Sequence, residues 1–371
     1  MSDVFYILSE GRVRVTRREE ASQPEEELME LGPSMYFGEK ALLHNAPRHA
    51  TVTALTAVKV LSISKEAFEE VLGPLQEIID DHRLWREQVA HQKLLLQEAE
   101  GLASVTIGDF AIECVSCITE PVQYVLASRN GKEYTLKCAS KQCVSEMTMA
   151  RRLLLEKELT ASLLTHHRMV PLSLATLHDD SFIYTVLKTS IAIDLASLIL
   201  ENECFDEPSA MFYTASIALA LEHLHTNGIV CRNVTSDAIV LDDKGYVQLI
   251  DLRYAAKAEP PPNDFCGYAH YLSPEQVSGV GHGPAVDFWA LGILAFEMIS
   301  GGGNPWLTGI SSKDSELGVF SRISAHQVGE LPFPSGVEVS DGLSDLLNEL
   351  LHPDASQRLG GRGRGPAEVQ E

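Results

Sequence analysis

The chain has 371 residues, 45% of them hydrophobic, and its 29 basic and 52 acidic side chains give a formal net charge of −23. This length suggests two or three globular domains, and the negative charge argues against nucleic acid or an anionic membrane as a partner. No signal peptide is visible at the start, and the longest apolar run, at residues 290–299, is too short to span a bilayer. Seven scattered cysteines complete no zinc site, so the cytoplasm is the expected compartment.

The first segment, residues 1–73, is expected to be built of strands. Residues 5–8 and 11–15 predict two short strands around a turn, and residues 51–64 alternate apolar and polar side chains as one longer strand does. Ser64 is a suitable N-cap for a short helix that Gly73 and Pro74 would end.

Between these strands lies a stretch whose residues suit a cyclic phosphodiester. Such a ligand needs backbone N–H donors at a helix start and one fixed cation. Gly38 permits close backbone approach, Arg48 is spaced for a bidentate contact, and Glu39 can accept a ribose 2′-hydroxyl. Ala41 and Leu42 begin the helical turn. The alternative is a solvated loop that happens to contain an arginine.

This stretch resembles the phosphate-binding cassette of cyclic-nucleotide-binding domains, where glycine, glutamate, arginine and a following alanine, here Ala50, have those roles. The residue after the arginine is typically alanine in cAMP binders and serine or threonine in cGMP binders, and His49 matches neither. The family's jelly roll begins with a helix and two more strands than this chain has. We therefore expect an N-terminally truncated domain from a longer protein.

Residues 74–108 predict a helical linker, because apolar side chains recur at helical spacing from Leu75 to Leu96 without a proline. Gly101 is expected to end the helix. In the family, a hydrophobic group from this region covers the cyclic-nucleotide base. Trp85 is a candidate for that lid, although simple packing on the barrel is the favoured interpretation.

Residues 109–359 predict a domain in which strands precede long helices. A hairpin is expected over residues 110–126 and strands over 133–140 and 181–187. Helices are expected over 144–164, 209–226 and 287–300. Residues 360–371, which are rich in glycine and arginine, are expected to form a flexible tail.

This region resembles the protein kinase family, and with the preceding segment it resembles the cGMP-dependent protein kinases, whose catalytic domain is of the AGC type. The motifs that carry the resemblance are Tyr134-Thr135-Leu136-Lys137, Phe265-Cys266-Gly267, Tyr271-Leu272-Ser273-Pro274-Glu275, Asp287-Phe288-Trp289 and Gln357-Arg358-Leu359-Gly360. The resemblance implies an α+β multidomain fold with a two-lobed kinase domain. It also implies a buried Glu275–Arg358 ion pair and an Asp287 that holds the catalytic-loop backbone.

The residues that perform phosphoryl transfer differ from the family pattern. The hairpin that should cradle phosphates with glycines has Cys117, Thr119 and Val122 in their place, and side chains there obstruct close backbone approach. Tyr124 and Thr135 put further bulk where adenine should stack.

The catalytic loop departs from the family pattern as well. Its base is replaced by Asn233, which cannot accept a proton. Thr235 and Ala238 replace the loop lysine and the Mg²⁺-binding asparagine, and Asp251-Leu252-Arg253 replaces Asp-Phe-Gly. We therefore expect no intact catalytic site.

Three positions that match the family pattern survive. Lys137 and Glu156 match the strand-to-helix ion pair, and Asp251 matches the magnesium ligand. They suggest residual ATP binding, or an ion pair kept only to hold the helix in place, which is favoured. Arg253 could replace a metal cation, although a solvent-facing arginine is the preferred interpretation.

Asp264 occupies the position of the activation-loop threonine that kinases phosphorylate. It could imitate the phosphate by pairing permanently with Arg232.

The sequence therefore favours a cyclic-nucleotide-responsive signalling protein with an inactive, pseudokinase domain that regulates a protein partner. The resemblance favours cGMP over cAMP, and Mg-ATP is a doubtful ligand. The alternatives are an active cGMP-dependent serine/threonine kinase that uses Lys137 and Asp251, or a decayed product with neither function.

Overall fold

The structure of the protein is a computed structural model that describes residues 4–17, 26–33, 35–37, 51–64, 97–102, 104–119, 122–147, 149–163, 167–307, 316–329, 331–334, 337, 339–362 and 368. The chain divides into two compact units, residues 1–91 and 92–371, called here the first and second unit. Strands make up the described part of the first unit and both strands and helices the second, which confirms the predicted α+β class. Across the ranges given above, no helix is long and apolar enough to cross a bilayer.

The first unit contains two small antiparallel sheets with strand orders β4-β1-β6 and β3-β2-β5. Gly11 makes the turn from β1 to β2 at a φ of 91°, and a Cβ there would lie 2.3 Å from the carbonyl oxygen of Ala57. Leu8, Val13 and Leu31 form the buried core between the strands. The strands are β1 (Val4–Glu10), β2 (Val13–Arg17), β3 (Glu26–Leu31), β4 (Tyr36–Phe37), β5 (Thr51–Ala54) and β6 (Lys59–Ser64).

One expectation for this unit was wrong, and strand β3 was missed. Residues 51–64 form two strands rather than one, because the chain turns at residues 55–58, where Arg12 donates its backbone N–H to Thr56 Oγ1 at 2.9 Å. Strand β3 was not predicted, because its run of glutamates hides the alternation that marks a strand. The short helix expected after Ser64 lies outside the described residues.

The second unit begins with an antiparallel five-stranded sheet of order β10-β11-β9-β8-β7. A two-residue turn at Asn130 and Gly131 joins β8 to β9, and both residues have positive φ, as a tight hairpin of this hand requires. The strands are β7 (Ala111–Thr119), β8 (Val122–Arg129), β9 (Lys132–Ser140), β10 (Ser173–His178) and β11 (Phe182–Leu187). Of these, β7, β8, β9 and β11 lie where strands were predicted.

The helix expected over residues 144–164 is instead two helices, α1 (Lys141–Glu146) and α2 (Ala150–Ser162). Ser140 starts α1 early, because its hydroxyl accepts the N–H of Cys143. Met149, buried between the two helices, donates its N–H to Val144. The break therefore follows from capping and burial, which the apolar pattern does not reveal.

The rest of the second unit is mainly helical. Asp206 caps α4 by accepting the N–H of Ser209 at 3.0 Å, and α6 is buried along nearly its whole length. The helices are α3 (Leu195–Asn202), α4 (Glu207–Thr226), α5 (Pro274–Val277), α6 (Ala285–Ser300), α7 (Glu316–Ala325) and α8 (Asp341–Leu350). The short strands between them are β12 (Ile193–Asp194), β13 (Ile229–Val230), β14 (Ile239–Leu241), β15 (Val247–Leu249) and β16 (Ala256–Lys257).

The end of the predicted linker is fastened to the sheet of the second unit. Residues 97–100 are helical and stop at Gly101, as predicted. Glu98 lies 2.6 Å from Lys188 and 3.1 Å from Lys132, and it accepts the Tyr134 hydroxyl at 2.9 Å. Burial raises the pKa of Glu98, but these three partners outweigh it and lower the pKa to about 2. Trp85 lies outside the described residues.

Candidate functional site

Three charged residues from different elements meet beside the five-stranded sheet. Lys137 lies on β9, Glu156 on α2, and Asp251 two residues after β15. The Lys137 ammonium lies 2.5 Å from Glu156 Oε1 and 3.0 Å from Asp251 Oδ1. Glu156 Oε1 also accepts the backbone N–H of Leu252 at 2.9 Å. The cluster therefore joins the sheet, the helix and the helical part of the unit through one ammonium.

The two carboxylates share this ammonium unequally. Burial lowers the pKa of Lys137, but Asp251 and Glu156 outweigh burial and raise it above its usual value. Burial raises the pKa of Asp251, yet Lys137 and Arg253 bring it below its usual value. Burial also raises the pKa of Glu156, and there the upward shift remains because Lys137 compensates only part of it. Asp251 is thus the better neutralised of the two.

Arg253 is the second cation on Asp251. Its side chain is 1% exposed, with Nε 2.7 Å and Nη2 2.5 Å from Asp251 Oδ2. The expectation of a solvent-facing arginine was therefore wrong, because a carboxylate two residues earlier offers it a buried partner. Both Asp251 oxygens are engaged by cations, and Ala238 has no side-chain oxygen to offer. These residues do not fit Mg²⁺, which needs oxygen ligands at about 2.1 Å.

The catalytic-loop residues lie against this cluster. Asn233 donates its side-chain N–H to the carbonyl oxygen of Asp251 at 3.0 Å. Its Oδ1 and the hydroxyl of Thr235 are buried without a hydrogen-bond partner among the residues described. Asp287 accepts the backbone N–H groups of Cys231 at 2.8 Å and Arg232 at 2.7 Å. The loop is therefore held in a defined shape, with the Asn233 amide against the backbone of Asp251.

Tyr124 fills space between the sheet and the helical part. It is fully buried, and its hydroxyl donates to the carbonyl oxygen of Ile250 at 3.3 Å. Its ring lies in one apolar cluster with Val240 and Ile250, which belong to the opposite side. Thr135, also fully buried, donates its hydroxyl to the carbonyl oxygen of Thr189 at 2.8 Å. Protein side chains thus occupy the gap in which a flat ring could otherwise stack.

The glycine-replacing residues of the hairpin lie in its two strands. Cys117 on β7 pairs with Tyr124 on β8, and Thr119 pairs with Val122. The tip of the hairpin, residues 120 and 121, lies outside the described residues.

A sheet with an ion-paired lysine, a loop held by Asp287 and an aspartate after β15 agree with the family comparison. The model of the family described as "Protein kinase domain" matches residues 121–366. The chain belongs to the protein kinase family. A second model, described as "Cyclic nucleotide-binding domain", matches residues 1–73.

Several curated relatives are named cGMP-dependent protein kinases. A cGMP-dependent protein kinase of Plasmodium berghei (strain Anka) is 30% identical over 370 residues, which are 99% of this chain and 40% of that protein. The Drosophila melanogaster cGMP-dependent protein kinase, isozyme 2 forms cD5/T2, is 27% identical over all of this chain and 38% of its own length. Human cGMP-dependent protein kinase 2 is 25% identical over 99% of this chain and 50% of its own length. The chain thus spans between about two fifths and one half of the length of these relatives.

The activation segment of this kinase-family chain is tied to the catalytic loop by an acidic side chain. Asp264 Oδ1 lies 2.5 Å from Arg232 Nη1, and its Oδ2 lies 3.3 Å from Arg152 Nη2 on α2. Burial raises the pKa of Asp264, but the two arginines outweigh it and lower the pKa. One half-exposed carboxylate therefore connects three parts of the domain.

Farther along, Arg358 binds both carboxylate oxygens of Glu275, at 2.7 and 3.0 Å. The arginine is fully buried and also donates to the carbonyl oxygens of Ala285 and His352. This pair joins the end of the activation segment to the turn after α8.

The residues expected to bind a cyclic nucleotide lie outside the described residues. They are Gly38, Glu39, Ala41, Leu42, Arg48, His49 and Ala50. Their roles stay predictions that rest on the sequence and on the family match over residues 1–73.

Sequence reasoning missed Arg152 as a partner of Asp264. Arg152 lies four residues before Glu156 on α2, so the two share a helix face. This helical spacing, together with the acidic residue at position 264, was the available signal that Arg152 is a second arginine partner of Asp264, beside Arg232. Tyr254 was missed too. Its carbonyl oxygen accepts Arg232 Nε at 2.8 Å, and its ring lies 5.0 Å from the Arg152 guanidinium.

Proposed function

We propose that the chain is a cyclic-nucleotide-responsive signalling protein whose kinase-family domain is catalytically inactive and regulates a protein partner. The observation that carries the proposal is the commitment of both Asp251 oxygens to Lys137 and Arg253. Phosphoryl transfer by this fold requires that carboxylate to hold the metal ion bound to ATP. Here an internal guanidinium takes the place of the metal.

The position of the catalytic base supports the same conclusion. Asn233 has no side-chain group basic enough to take a proton near neutral pH, and its amide N–H already donates to the carbonyl oxygen of Asp251. Loss of a general base alone typically slows a reaction by about 10²- to 10⁴-fold. With Thr235 and Ala238 at two further catalytic positions, little is left to position or activate a hydroxyl.

The buried Tyr124 supports weak or absent nucleotide binding. Its ring and hydroxyl bridge the sheet and Ile250, so adenine would have to displace a packed side chain. In this proposal Mg-ATP binds weakly or not at all, and Lys137 and Glu156 have a structural role.

The family match over residues 1–73 and the names of the relatives support a cyclic nucleotide, with cGMP favoured over cAMP. In this proposal residues 1–73 bind it through Arg48 and Glu39, and residues 74–108 form the linker. Residues 109–359 present a surface to a protein partner in the cytoplasm. Residues 360–371 form a tail.

A second candidate is an active cGMP-dependent serine/threonine kinase. It is favoured by the intact pair between Lys137 and Glu156, and by Asp264, which pairs with Arg232 as a phosphothreonine would. Under this candidate Arg253 would have to release Asp251 before catalysis.

The deciding experiment measures transfer of the ATP γ-phosphate to a basic serine/threonine peptide, with Mg²⁺, with and without cGMP. We expect no transfer from the wild-type chain above that of a Lys137→Met variant. Transfer that disappears in Lys137→Met would establish the active kinase and overturn our proposal.

Cyclic-nucleotide binding is tested separately on the same preparations. We expect the wild-type chain to bind cGMP and an Arg48→Ala variant to lose at least about tenfold in affinity, because the fixed cation is removed. Arg12→Ala, which changes an exposed arginine of the same unit, is the matched control. Equal affinities for all three proteins would remove Arg48 from the site.

A further inference from the structure

A short stretch of chain joins the five-stranded sheet of the second unit to its helical part. All strands of that sheet lie between Ala111 and Leu187, and β12, which begins at Ile193, already pairs with β14 in the helical part. Residues 188–192, called here the connecting segment, therefore make the covalent passage between the two. A rotation of the sheet relative to the helical part has to bend this segment.

The connecting segment is fastened at its middle and at its far end. The carbonyl oxygen of Thr189 accepts the hydroxyl of Thr135 on β9 at 2.8 Å, and the Thr189 hydroxyl bonds Gln248 on β15. These three side chains are buried. Ala192 donates its backbone N–H to the carbonyl oxygen of Leu241 on β14 at 2.9 Å. The segment is thus bound to both the sheet and the helical part.

The first residue of the segment is held differently, by the end of the linker. Lys188 is partly exposed, and its ammonium lies 2.6 Å from Glu98, whose side chain is only 9% exposed. The same carboxylate binds Lys132 and Tyr134 at the beginning of β9. A carboxylate with three donors and little solvent makes a stronger contact than an exposed ion pair does. Glu98 therefore connects β9 with the connecting segment from outside both.

The linker has a second attachment that does not depend on Glu98. Leu102 is buried in one apolar cluster with Phe110, Tyr134 and Val186. Glu98 lies one helical turn earlier, on the side of the chain that leads to the first unit. A pull on the chain before residue 97 would therefore withdraw Glu98, while Leu102 keeps the linker attached to the sheet.

We propose that Glu98 is a releasable latch through which the end of the linker restrains the connecting segment. While Glu98 holds Lys188, the sheet is fixed on the helical part, and when Glu98 is withdrawn the segment bends more easily. The inference rests on the proposed function in one respect, because it takes cyclic-nucleotide binding by residues 1–73 as the event that displaces the linker. The regulated property is the mobility of the second unit.

The test is hydrogen–deuterium exchange of the full chain, measured by mass spectrometry. Glu98→Ala opens the latch permanently, so the amides of residues 187–192 should exchange at least about fivefold faster than in the wild type, because local opening becomes easier. Glu100→Ala removes an exposed carboxylate from the same helical turn and should exchange like the wild type. Amides of α6 should be unaffected in both variants, which distinguishes a loosened segment from a general loss of stability.

Lys188→Met opens the same latch from the other side. Combined with Glu98→Ala it should add no further acceleration, because two residues that act through one contact are not additive. Unchanged exchange in Glu98→Ala, an equal acceleration in Glu100→Ala or in α6, or full additivity of the two changes would each overturn the latch.

Addition of cGMP separates this inference from the proposed function. In the wild type, cGMP should accelerate exchange of the connecting segment towards the level of Glu98→Ala, and Glu98→Ala itself should not respond. If calorimetry shows no cGMP binding, the proposed function fails, and the variants above still decide on the latch. If cGMP binds and exchange of the segment stays the same, release of the latch by the cyclic nucleotide is overturned.

Discussion

Arg358 and Arg253 are both buried arginines paired with a carboxylate, but their surroundings differ. Arg358 binds both oxygens of Glu275 and also donates to three backbone carbonyl groups. Arg253 binds one oxygen of Asp251, whose other oxygen is held by Lys137. The first arrangement has the residues of the family motif, and it joins the end of the activation segment to the turn after α8. In the second, an arginine stands where the family pattern predicts glycine, next to the predicted metal ligand. Under the proposed function, side chains that hold this fold are therefore kept while those that perform its reaction change.

The largest expected effect tests the Arg358 side of this comparison. Arg358→Ala should lower the free energy of unfolding by about 3–5 kcal/mol, because Glu275 would keep a charge without its buried partner. Guanidinium denaturation of the second unit measures it. Arg362→Ala breaks an exposed pair with Glu349 and should cost less than about 1 kcal/mol. Equal losses in the two variants would contradict a structural role specific to Arg358.

A second buried carboxyl group of the helical part sharpens the comparison through pH. Burial raises the pKa of Glu297 to about 7, against 4.5 for the free side chain, although hydrogen bonds from Tyr271, Asn304 and Ser236 oppose the shift. Between these values the folded state binds more protons than the unfolded state, so stability falls as the pH rises from about 4.5 to 7.

Glu297→Gln removes this titration. Relative to the wild type, the variant should gain about 3 kcal/mol between pH 4.5 and 7.5, at about 1.4 kcal/mol per pKa unit. Denaturation at a series of pH values measures the difference. Glu349→Gln, at an exposed position, is the control. A stability difference between Glu297→Gln and wild type that is constant across this range would disprove the raised pKa.

Tyr124→Val should open the space between the five-stranded sheet and the helical part of the second unit, which the tyrosine ring fills. It should cost about 2–3 kcal/mol of stability through the cavity it leaves, and ATP binding should become measurable with a fluorescent nucleotide in the absence of Mg²⁺. Tyr184→Val makes the same change at a tyrosine of β11 that bonds Asp179 instead. Nucleotide binding gained equally by both variants, or by neither, would show that Tyr124 is not the obstruction.

The smallest expected effect is on Asp264. Asp264→Ala should change stability by less than about 1 kcal/mol, because the side chain is half-exposed. Backbone amides of residues 254–267 should nevertheless exchange hydrogen faster, since Arg232 and Arg152 lose their common partner. Asp264→Glu keeps the charge and should exchange like the wild type. Unchanged exchange in Asp264→Ala would show that the carboxylate does not hold the segment.

Strong periodic patterns and local signals predicted much of the second unit. The strands at residues 111–140 and the helices α4 and α6 lie where alternation and helical periodicity indicated them. The turn at residues 55–58 was not predictable in this way. It depends on Arg12, which lies more than 40 residues earlier and bonds Thr56. Hydrogen bonds between distant segments leave no trace in a local pattern.

The candidate site shows the same limit. The family pattern is enough to identify Lys137, Glu156 and Asp251 from the sequence. It did not reveal where Arg253 points, because the burial of a charged side chain depends on whether a partner is positioned to receive it. The size of Tyr124 predicts bulk where adenine should stack, but its hydrogen bond to Ile250 joins residues more than 100 positions apart and is invisible in a local pattern.

Under the proposed function, the internal cation on Asp251 makes the shape of the domain independent of the cell's ATP level. In a kinase whose cleft is completed by Mg-ATP, the contacts between sheet and helical part vary with the adenylate pool. Here Lys137 and Arg253 neutralise Asp251 from within the chain, and Tyr124 bridges the same two parts. A partner that docks on this domain would therefore meet the same surface at low and at high cellular ATP concentrations.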